Sequence, residues 1–194
     1  MIQKKNITAL LLAGGKSSRM GTDKGFITLN GISFMERIIS AVKPFVGQIM
    51  IISNDSSYDT FNIKRVSDII PNSGPLAGIF SGLFYSESEV NLVLSCDVPL
   101  INDTILNILI DGYNSKYDVI QLESQGKTMP LIALYKKQCM HPFLESLKNG
   151  ERRLTKVVGE LNTKSIVLDS SLNTFVRNIN TLNELKEIKH ELEH

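Results

Sequence analysis

The segment that organises this chain is Leu10-Leu11-Leu12-Ala13-Gly14-Gly15-Lys16-Ser17-Ser18-Arg19-Met20-Gly21-Thr22-Asp23-Lys24. It continues an apolar run that begins at Ile7, has the length of a strand and ends at paired glycines. An apolar run without alternation is typical of a strand buried on both faces of a parallel sheet. The segment therefore predicts a parallel sheet with a glycine-rich loop at the carboxyl end of its first strand.

This loop has the composition of a phosphate-binding site. Glycines let the backbone approach a phosphate closely, and free N–H groups and cations supply a positive field. The Arg19 guanidinium can grip two phosphate oxygens, and the Lys24 ammonium can reach one as a point charge. Because open α/β sheets bind ligands at this edge, we expect a di- or triphosphate here. A plain β-to-α turn with solvated charges is the alternative.

The spacing excludes two familiar phosphate-binding motifs. A Walker loop requires a glycine five residues before Gly15-Lys16-Ser17, where this chain has Leu10. The dinucleotide fingerprint Gly-x-Gly-x-x-Gly is absent, because Gly14-Gly15 is followed next by Gly21. The loop therefore matches neither of these two classes of phosphate-binding motif.

The rest of the chain alternates strand and helix patterns, which predicts an α/β fold: a doubly wound, mainly parallel, Rossmann-like sheet in three αβα layers. Ser33-x-x-Glu36 and Thr181-x-x-Glu184 have the spacing of capping boxes at helix starts. We find no repeat or linker and predict one domain over residues 1–191, nucleotide-binding in its first half and substrate-binding in its second. Residues 192–194 resemble a tag remnant.

Bulk composition restricts the function classes. The 194 residues have a formal net charge of +1, which gives no electrostatic support for nucleic-acid or membrane-surface binding. No apolar run reaches the roughly 18 residues of a membrane span. The only cysteines, Cys96 and Cys139, fit a reduced cytoplasmic protein.

Asp97 is the strongest single candidate for chemistry. It follows the apolar strand pattern that ends near Cys96 and precedes Pro99, at the same predicted sheet edge as the glycine loop. Such an aspartate can hold Mg²⁺, which takes carboxylate, water and phosphate oxygens together. An aspartate that merely caps a turn is the alternative.

Asn54 and Asp68 follow neighbouring strand patterns and so also reach the expected ligand edge. A carboxylate can accept hydrogen bonds from N1–H and the exocyclic amine of guanine, which gives a reason to place Asp68 near a base. Asx side chains that form turns are the alternative for both residues.

Other catalytic chemistries lack the residues they need. None of the three histidines, His141, His190 and His194, stands at zinc-ligand spacing from a cysteine or another histidine. A Gly-x-Ser-x-Gly elbow is also absent, so a hydrolase triad has no support.

Five motifs in order resemble those of the molybdenum cofactor guanylyltransferases, within a larger superfamily of nucleotidyltransferases. The first is the loop from Leu12 to Lys24. The others are Gly74-Pro75-Leu76-Ala77-Gly78, Ser95-Cys96-Asp97-Val98-Pro99, Gly150-Glu151-Arg152-Arg153 and Asn178-Ile179-Asn180-Thr181. The resemblance therefore covers nearly the whole chain. One departure is Met129-Pro130, where relatives often have His-Pro.

The resemblance implies a division of the site between two substrates. The nucleotide would be held by Leu12, Ala13, Gly14, Gly15, Lys24, Asn54, Asp68 and Asp97, with Asp97 also on Mg²⁺. Arg19, Lys24 and Asp97 would carry catalysis. The pterin substrate would face Arg152, Arg153, Asn178 and Asn180.

The reaction implied is guanylyl transfer from GTP to the phosphate of the molybdopterin cofactor, with release of pyrophosphate. GTP, the molybdopterin cofactor and proteins that handle molybdopterin or mature molybdoenzymes are the implied partners. Two rivals stay open: a cytidylyl or sugar-phosphate nucleotidyltransferase of the same fold, and a non-catalytic carrier of the cofactor or nucleotide.

Overall fold

The computed structural model describes residues 2–14 and 23–193. Its central feature is a sheet of seven strands in the order β5-β4-β1-β6-β8-β7-β9, with a separate small hairpin formed by β2 and β3. The strands are β1 Ile7–Leu12, β2 Thr28–Leu29, β3 Ile32–Ser33, β4 Gln48–Ile52, β5 Lys64–Val66, β6 Val90–Ser95, β7 Val119–Ser124, β8 Lys127–Lys136 and β9 Thr163–Val167.

The predicted mainly parallel sheet is confirmed. β1 pairs in parallel with β4 on one side and with β6 on the other, and β4 pairs in parallel with β5. The chain thus runs outward from β1 to β5 and then returns to the opposite side of β1 as β6. Such a reversal of strand order opens a crevice at the carboxyl ends of the strands, where ligands bind in open α/β sheets.

One strand runs against the others. β8 pairs antiparallel with both β6 and β7, while β9 returns to a parallel pairing with β7. The β7–β8 turn passes through Gln125 and Gly126, both with positive φ, which is the geometry of a tight hairpin turn. The second half of the sheet is therefore mixed.

The described residues form six α-helices: α1 Phe34–Val42, α2 Gly74–Tyr85, α3 Asp103–Asp111, α4 Met140–Lys148, α5 Leu154–Gly159 and α6 Leu182–Glu193. Buried residues of α1 and α3 pack with one face of the sheet, and those of α2, α4 and α5 pack with the other. β1 contributes Leu11 to the first core and Leu10 to the second, as expected for a strand buried on both faces.

The last helix packs on the β2–β3 hairpin rather than on the main sheet. Ile179, Leu185 and Ile188 form a third apolar cluster with Leu29 and Phe34. This packing brings the C-terminal segment against β2 and the start of α1.

Both predicted capping boxes are confirmed. Ser33 Oγ accepts from the Glu36 backbone N–H at 3.2 Å, and Glu36 accepts from the Ser33 backbone N–H at 2.9 Å. Glu184 accepts in the same way from the Thr181 backbone N–H at 2.9 Å. Among the residues that the structure describes, no helix is both long and apolar enough to cross a membrane.

Candidate active site

The carboxyl ends of β1, β4, β5 and β6 surround a cavity of about 680 Å³. Its wall includes Leu12, Ala13, Gly14, Ser53, Asn54, Asp68 and Ser95, together with Asp23 and the start of α2. The structure therefore brings five predicted nucleotide-binding residues to one cavity. Of the predicted loop residues, Gly15 and Arg19 lie outside the described part of the chain.

Gly14 has the conformation that the loop requires at this point. Its φ of +114° is one that residues with a side chain rarely adopt. Just before it, the Ala13 backbone N–H donates to the Ile52 carbonyl at 2.9 Å, and the Cys96 N–H donates to the Leu12 carbonyl at 3.0 Å. The backbone is thus held between β4 and β6 up to Ala13, and Gly14 is the last described residue before the loop.

Lys24 joins two distant segments of the chain. Its Nζ lies 2.5 Å from Oδ1 of Asn180 and 3.4 Å from Oδ2 of Asp97. The Ile179 backbone N–H donates to the Asp97 carbonyl at 2.8 Å, so the segment before α6 is also tied to the strand end. Three of the motifs noted in the sequence therefore meet at one point.

Asp97 has the chemistry of a metal-binding residue. Its side chain is 13 % exposed. Its Oδ1 atom is buried and accepts no hydrogen bond from any residue that the structure describes. A buried carboxylate oxygen without a partner is costly, and a cation beside it would satisfy it. The described residues contain no cluster of three or more His, Cys, Asp or Glu side chains, so a metal here would rely on few protein ligands.

Asn54 and Asp68 hold each other in place. The Asn54 Nδ2 donates to Asp68 Oδ2 at 3.2 Å, and the Asp68 backbone N–H donates to Asn54 Oδ1 at 2.9 Å. Their strands, β4 and β5, are neighbours, as the sequence predicted. Burial raises the pKa of the Asp68 carboxyl, and the hydrogen bond from Asn54 opposes this shift in part. Asn54 therefore orients the carboxylate that faces the cavity.

Two residues near Lys24 were not identified from the sequence. Asp23 accepts a hydrogen bond from the Tyr58 hydroxyl, and its Oδ1 also accepts from the Gly25 backbone N–H at 3.1 Å. Tyr58 lies in a 3₁₀ segment, Ser56–Phe61, which follows β4. Asp23 precedes a lysine already singled out, but nothing in the sequence pattern around Tyr58 indicates a contact with the loop.

A second cavity of about 880 Å³ adjoins the first, and Pro75 and Leu131 contribute to both. Arg153 and Asn178 line it, as do Met129 and Pro130. Two residues predicted for the pterin side lie elsewhere. Asn180 contacts Lys24, and Arg152 donates a hydrogen bond to Ser73 at the rim of the first cavity.

Comparison with known proteins identifies relatives. The family model described as "MobA-like NTP transferase domain" matches residues 9–165. A protein of Flavobacterium johnsoniae named "Probable molybdenum cofactor guanylyltransferase" is 32% identical over 188 residues, which cover 97% of this chain and 99% of that protein.

Solved structures share the fold. The molybdopterin-guanine dinucleotide biosynthesis protein A of Archaeoglobus fulgidus superposes with a TM-score of 0.81 at 22% identity, covering 96% of this chain and 98% of the other. The 4-diphosphocytidyl-2C-methyl-D-erythritol synthase of Anaerococcus prevotii gives a TM-score of 0.78 at 14% identity, covering 98% and 97%. At these identities the likeness supports the fold alone, and it confirms the predicted αβα architecture.

Proposed function

Since this chain belongs to the MobA-like NTP transferase family and is a nucleotidyltransferase, we propose that it transfers GMP from GTP to the phosphate of the molybdopterin cofactor. The products are the guanine dinucleotide form of the cofactor and pyrophosphate. The proposal agrees with the printed name of the Flavobacterium johnsoniae relative, which matches this chain over nearly its whole length.

The observation that carries the proposal is the position of Lys24 between Asp97 and Asn180. These three residues line neither cavity themselves, but Asp23 lines the first and Asn178 lines the second. Transfer between two bound molecules requires two sites that meet where the bond forms. The first cavity would hold GTP, with its base near Asp68, and the second would hold the pterin near Arg153 and Asn178. The shared wall at Pro75 and Leu131 supports this arrangement.

The chemistry requires no general base. A phosphate monoester has its second pKa near 6, so the attacking oxygen of the cofactor is largely ionised at neutral pH. It bonds to the α-phosphorus of GTP as the bond to the β-phosphate oxygen breaks, and pyrophosphate leaves with the electron pair. The residues must therefore offset repulsion between two anions and stabilise the leaving group, by positioning and electrostatics. Lys24, Arg19 and the backbone N–H groups of the loop are suited to this role.

The residues present fit a requirement for Mg²⁺. Asp97 would hold the ion, and its buried Oδ1 without a hydrogen-bond partner among the described residues supports this assignment. Mg²⁺ is commonly bound through one or two carboxylates plus substrate phosphates, which agrees with so few protein ligands here. When bound, the ion would neutralise charge on the phosphates. The Asn180 amide oxygen lies near the same lysine and offers a second oxygen ligand.

A transfer assay with competing nucleotides tests the proposal. The protein is supplied with molybdopterin cofactor, sugar 1-phosphates, Mg²⁺ and equal concentrations of GTP, CTP and ATP, and the pterin dinucleotides and nucleotide sugars are separated and identified. We expect the guanine dinucleotide as the main product. A cytosine dinucleotide, or nucleotide transfer only to sugar phosphates, would instead support one of the two rival enzymes, and binding without pyrophosphate release would support a carrier.

We further propose that the protein acts in the cytoplasm. Cys96 and Cys139 are both buried free thiols, which agrees with a reducing compartment. Proteins that supply molybdopterin or receive the dinucleotide would be its partners there.

A further inference from the structure

We propose that Tyr58 is a positioning residue for Lys24 and acts through Asp23. This inference rests on the role proposed above for Lys24 and adds a residue outside the sequence motifs. It assigns a function to a tyrosine that lies 34 positions after the lysine and contacts the same short turn.

The first step is the hydrogen bond between Tyr58 and Asp23. Tyr58 is fully buried, and its hydroxyl donates to Oδ1 of Asp23. The same oxygen accepts from the Gly25 backbone N–H at 3.1 Å and so caps the 3₁₀ turn Lys24–Phe26. Tyr58 therefore orients the Asp23 side chain, and Asp23 in turn caps the turn whose first residue is Lys24.

Packing holds the same turn from the other side. A Cβ atom added to Gly25 would lie 2.2 Å from the Tyr58 hydroxyl oxygen, so only glycine permits this approach. The Phe26 ring centroid lies 4.8 Å from that of Tyr58, and the Phe61 ring completes the cluster at 5.9 Å. Residues on both sides of Lys24 are thus anchored to one buried phenol.

A lysine needs such anchoring to act at a defined place. Its four-carbon stem is flexible, so the position of its backbone decides which oxygens the ammonium can reach. Here the ammonium reaches both Asp97 and Asn180. A misplacement of about 1 Å at a reacting centre can cost about a hundredfold in rate.

Tyr58 also connects two parts of the wall of the nucleotide cavity, because Asp23, which accepts its hydrogen bond, is one of the lining residues. Its 3₁₀ segment begins directly after Ser53, Asn54 and Asp55, which line the cavity at the end of β4. Burial raises the pKa of the Tyr58 hydroxyl far above its ordinary value, so this group is a hydrogen-bond donor at neutral pH. The hydrogen bond to Asp23 therefore links the segment after β4 to the turn that begins at Lys24.

The test is a double-mutant cycle of Tyr58→Phe and Lys24→Ala, measured as the rate of guanylyl transfer at saturating GTP and cofactor. Tyr58→Phe keeps the ring and removes only the hydroxyl. We expect it to lower kcat by about tenfold or more, with a smaller change in the KM for GTP. In the Lys24→Ala background it should change kcat by less than about twofold, because the group it positions is gone.

A matched control separates this role from a loss of stability. Tyr135→Phe removes another fully buried hydroxyl, which donates to the Pro130 carbonyl at 2.7 Å and has no contact with Asp23. Tyr135→Phe should change kcat by the same factor in the native protein and in the Lys24→Ala variant. If the effect of Tyr58→Phe were also the same factor in both backgrounds, the inference would be wrong while the role of Lys24 stood.

Two further outcomes are decisive. An unchanged rate in Lys24→Ala alone would contradict the proposed role of Lys24 and with it this inference. If Tyr58→Phe does not fold, Asp23→Ala removes the acceptor from the same hydrogen bond and completes a second cycle with Lys24→Ala. We expect the same coupling there, and independent effects would overturn the inference.

Discussion

The ammonium nitrogen of Lys24 lies 2.5 Å from Oδ1 of Asn180, although the two residues are 156 positions apart. The family match ends at residue 165, so this contact comes from a segment beyond it. The packing of α6 against Leu29 and Phe34, together with the hydrogen bond from the Ile179 N–H to the Asp97 carbonyl, brings that segment to the end of β6. The C-terminal segment therefore completes the candidate site.

Asp97→Asn should reduce turnover at least a hundredfold while the protein stays folded, because the amide removes the negative charge that would hold Mg²⁺. The measurement is the transfer rate over a titration of Mg²⁺ and Mn²⁺, with the unfolding midpoint as a check on folding. Asp103→Asn, at the start of α3 and away from both cavities, is the matched control. Full activity of Asp97→Asn would remove Asp97 from the metal site.

Asn180→Ala and Asn178→Ala should have different kinetic effects, although the two residues share one motif. Asn180 contacts Lys24, so its loss should lower kcat about tenfold or more. Asn178 is exposed and lines the second cavity, so its loss should raise the KM for the cofactor and leave kcat nearly unchanged. Steady-state kinetics with each substrate varied in turn would separate the two effects. If both variants changed kcat and the KM for the cofactor in the same way, the assignment would be contradicted.

Arg152→Ala and Arg153→Ala give a second matched pair. Arg152 donates to Ser73 at the rim of the nucleotide cavity, whereas Arg153 lines the second cavity and pairs with Glu151 at 2.7 Å. We expect Arg153→Ala to weaken cofactor binding without changing the Kd for GTP, and Arg152→Ala to weaken GTP binding. Titration calorimetry with each ligand separately distinguishes the two. A loss of GTP affinity in Arg153→Ala would argue against separate sites.

Asp68→Asn should weaken GTP binding about tenfold or more, because a charged acceptor near the base is lost. The same substitution should raise the free energy of unfolding at neutral pH, because the buried charge is removed. Burial raises the pKa of Asp68, so between its ordinary and its raised pKa the folded protein binds more protons than the unfolded chain. The stability of the native protein therefore decreases as pH rises through that window.

Asp68→Asn removes this titration. The free energy of unfolding of the variant should fall less than that of the native protein as pH rises through the window. Denaturant unfolding at a series of pH values measures this, and GTP titration at pH 7 measures the affinity. If stability and pH dependence were unchanged while GTP affinity fell, the carboxylate would bind the base without being desolvated.

Local sequence signals predicted most of the fold. The run from Ile7 to Leu12 predicted β1, and Ser-x-x-Glu and Thr-x-x-Glu spacings predicted the starts of α1 and α6, because each signal lies within a few neighbouring residues. The antiparallel direction of β8 was not predicted. Its turn has Gln125 in a left-handed conformation, and glutamine is not among the residues that usually indicate such a turn.

The candidate site was predictable to the extent that strand ends locate it. Leu12 ends a strand, and Asn54, Asp68 and Asp97 each lie two residues after one, so their common edge follows from a parallel sheet. The contact of Asn180 with Lys24 depends on how α6 packs, and the contact of Tyr58 with Asp23 depends on the path of a 3₁₀ segment. Neither leaves a periodic signal in the sequence, since both arise from tertiary packing.

The most direct test of the proposed activity follows two radioactive labels in one reaction with cofactor and Mg²⁺. GTP labelled at the α-phosphorus should transfer its label to the pterin product, and GTP labelled at the γ-phosphorus should release its label as pyrophosphate. Both results should be lost in Asp97→Asn. Transfer of the γ-label to the cofactor, or release of pyrophosphate with no α-label on the pterin, would contradict guanylyl transfer.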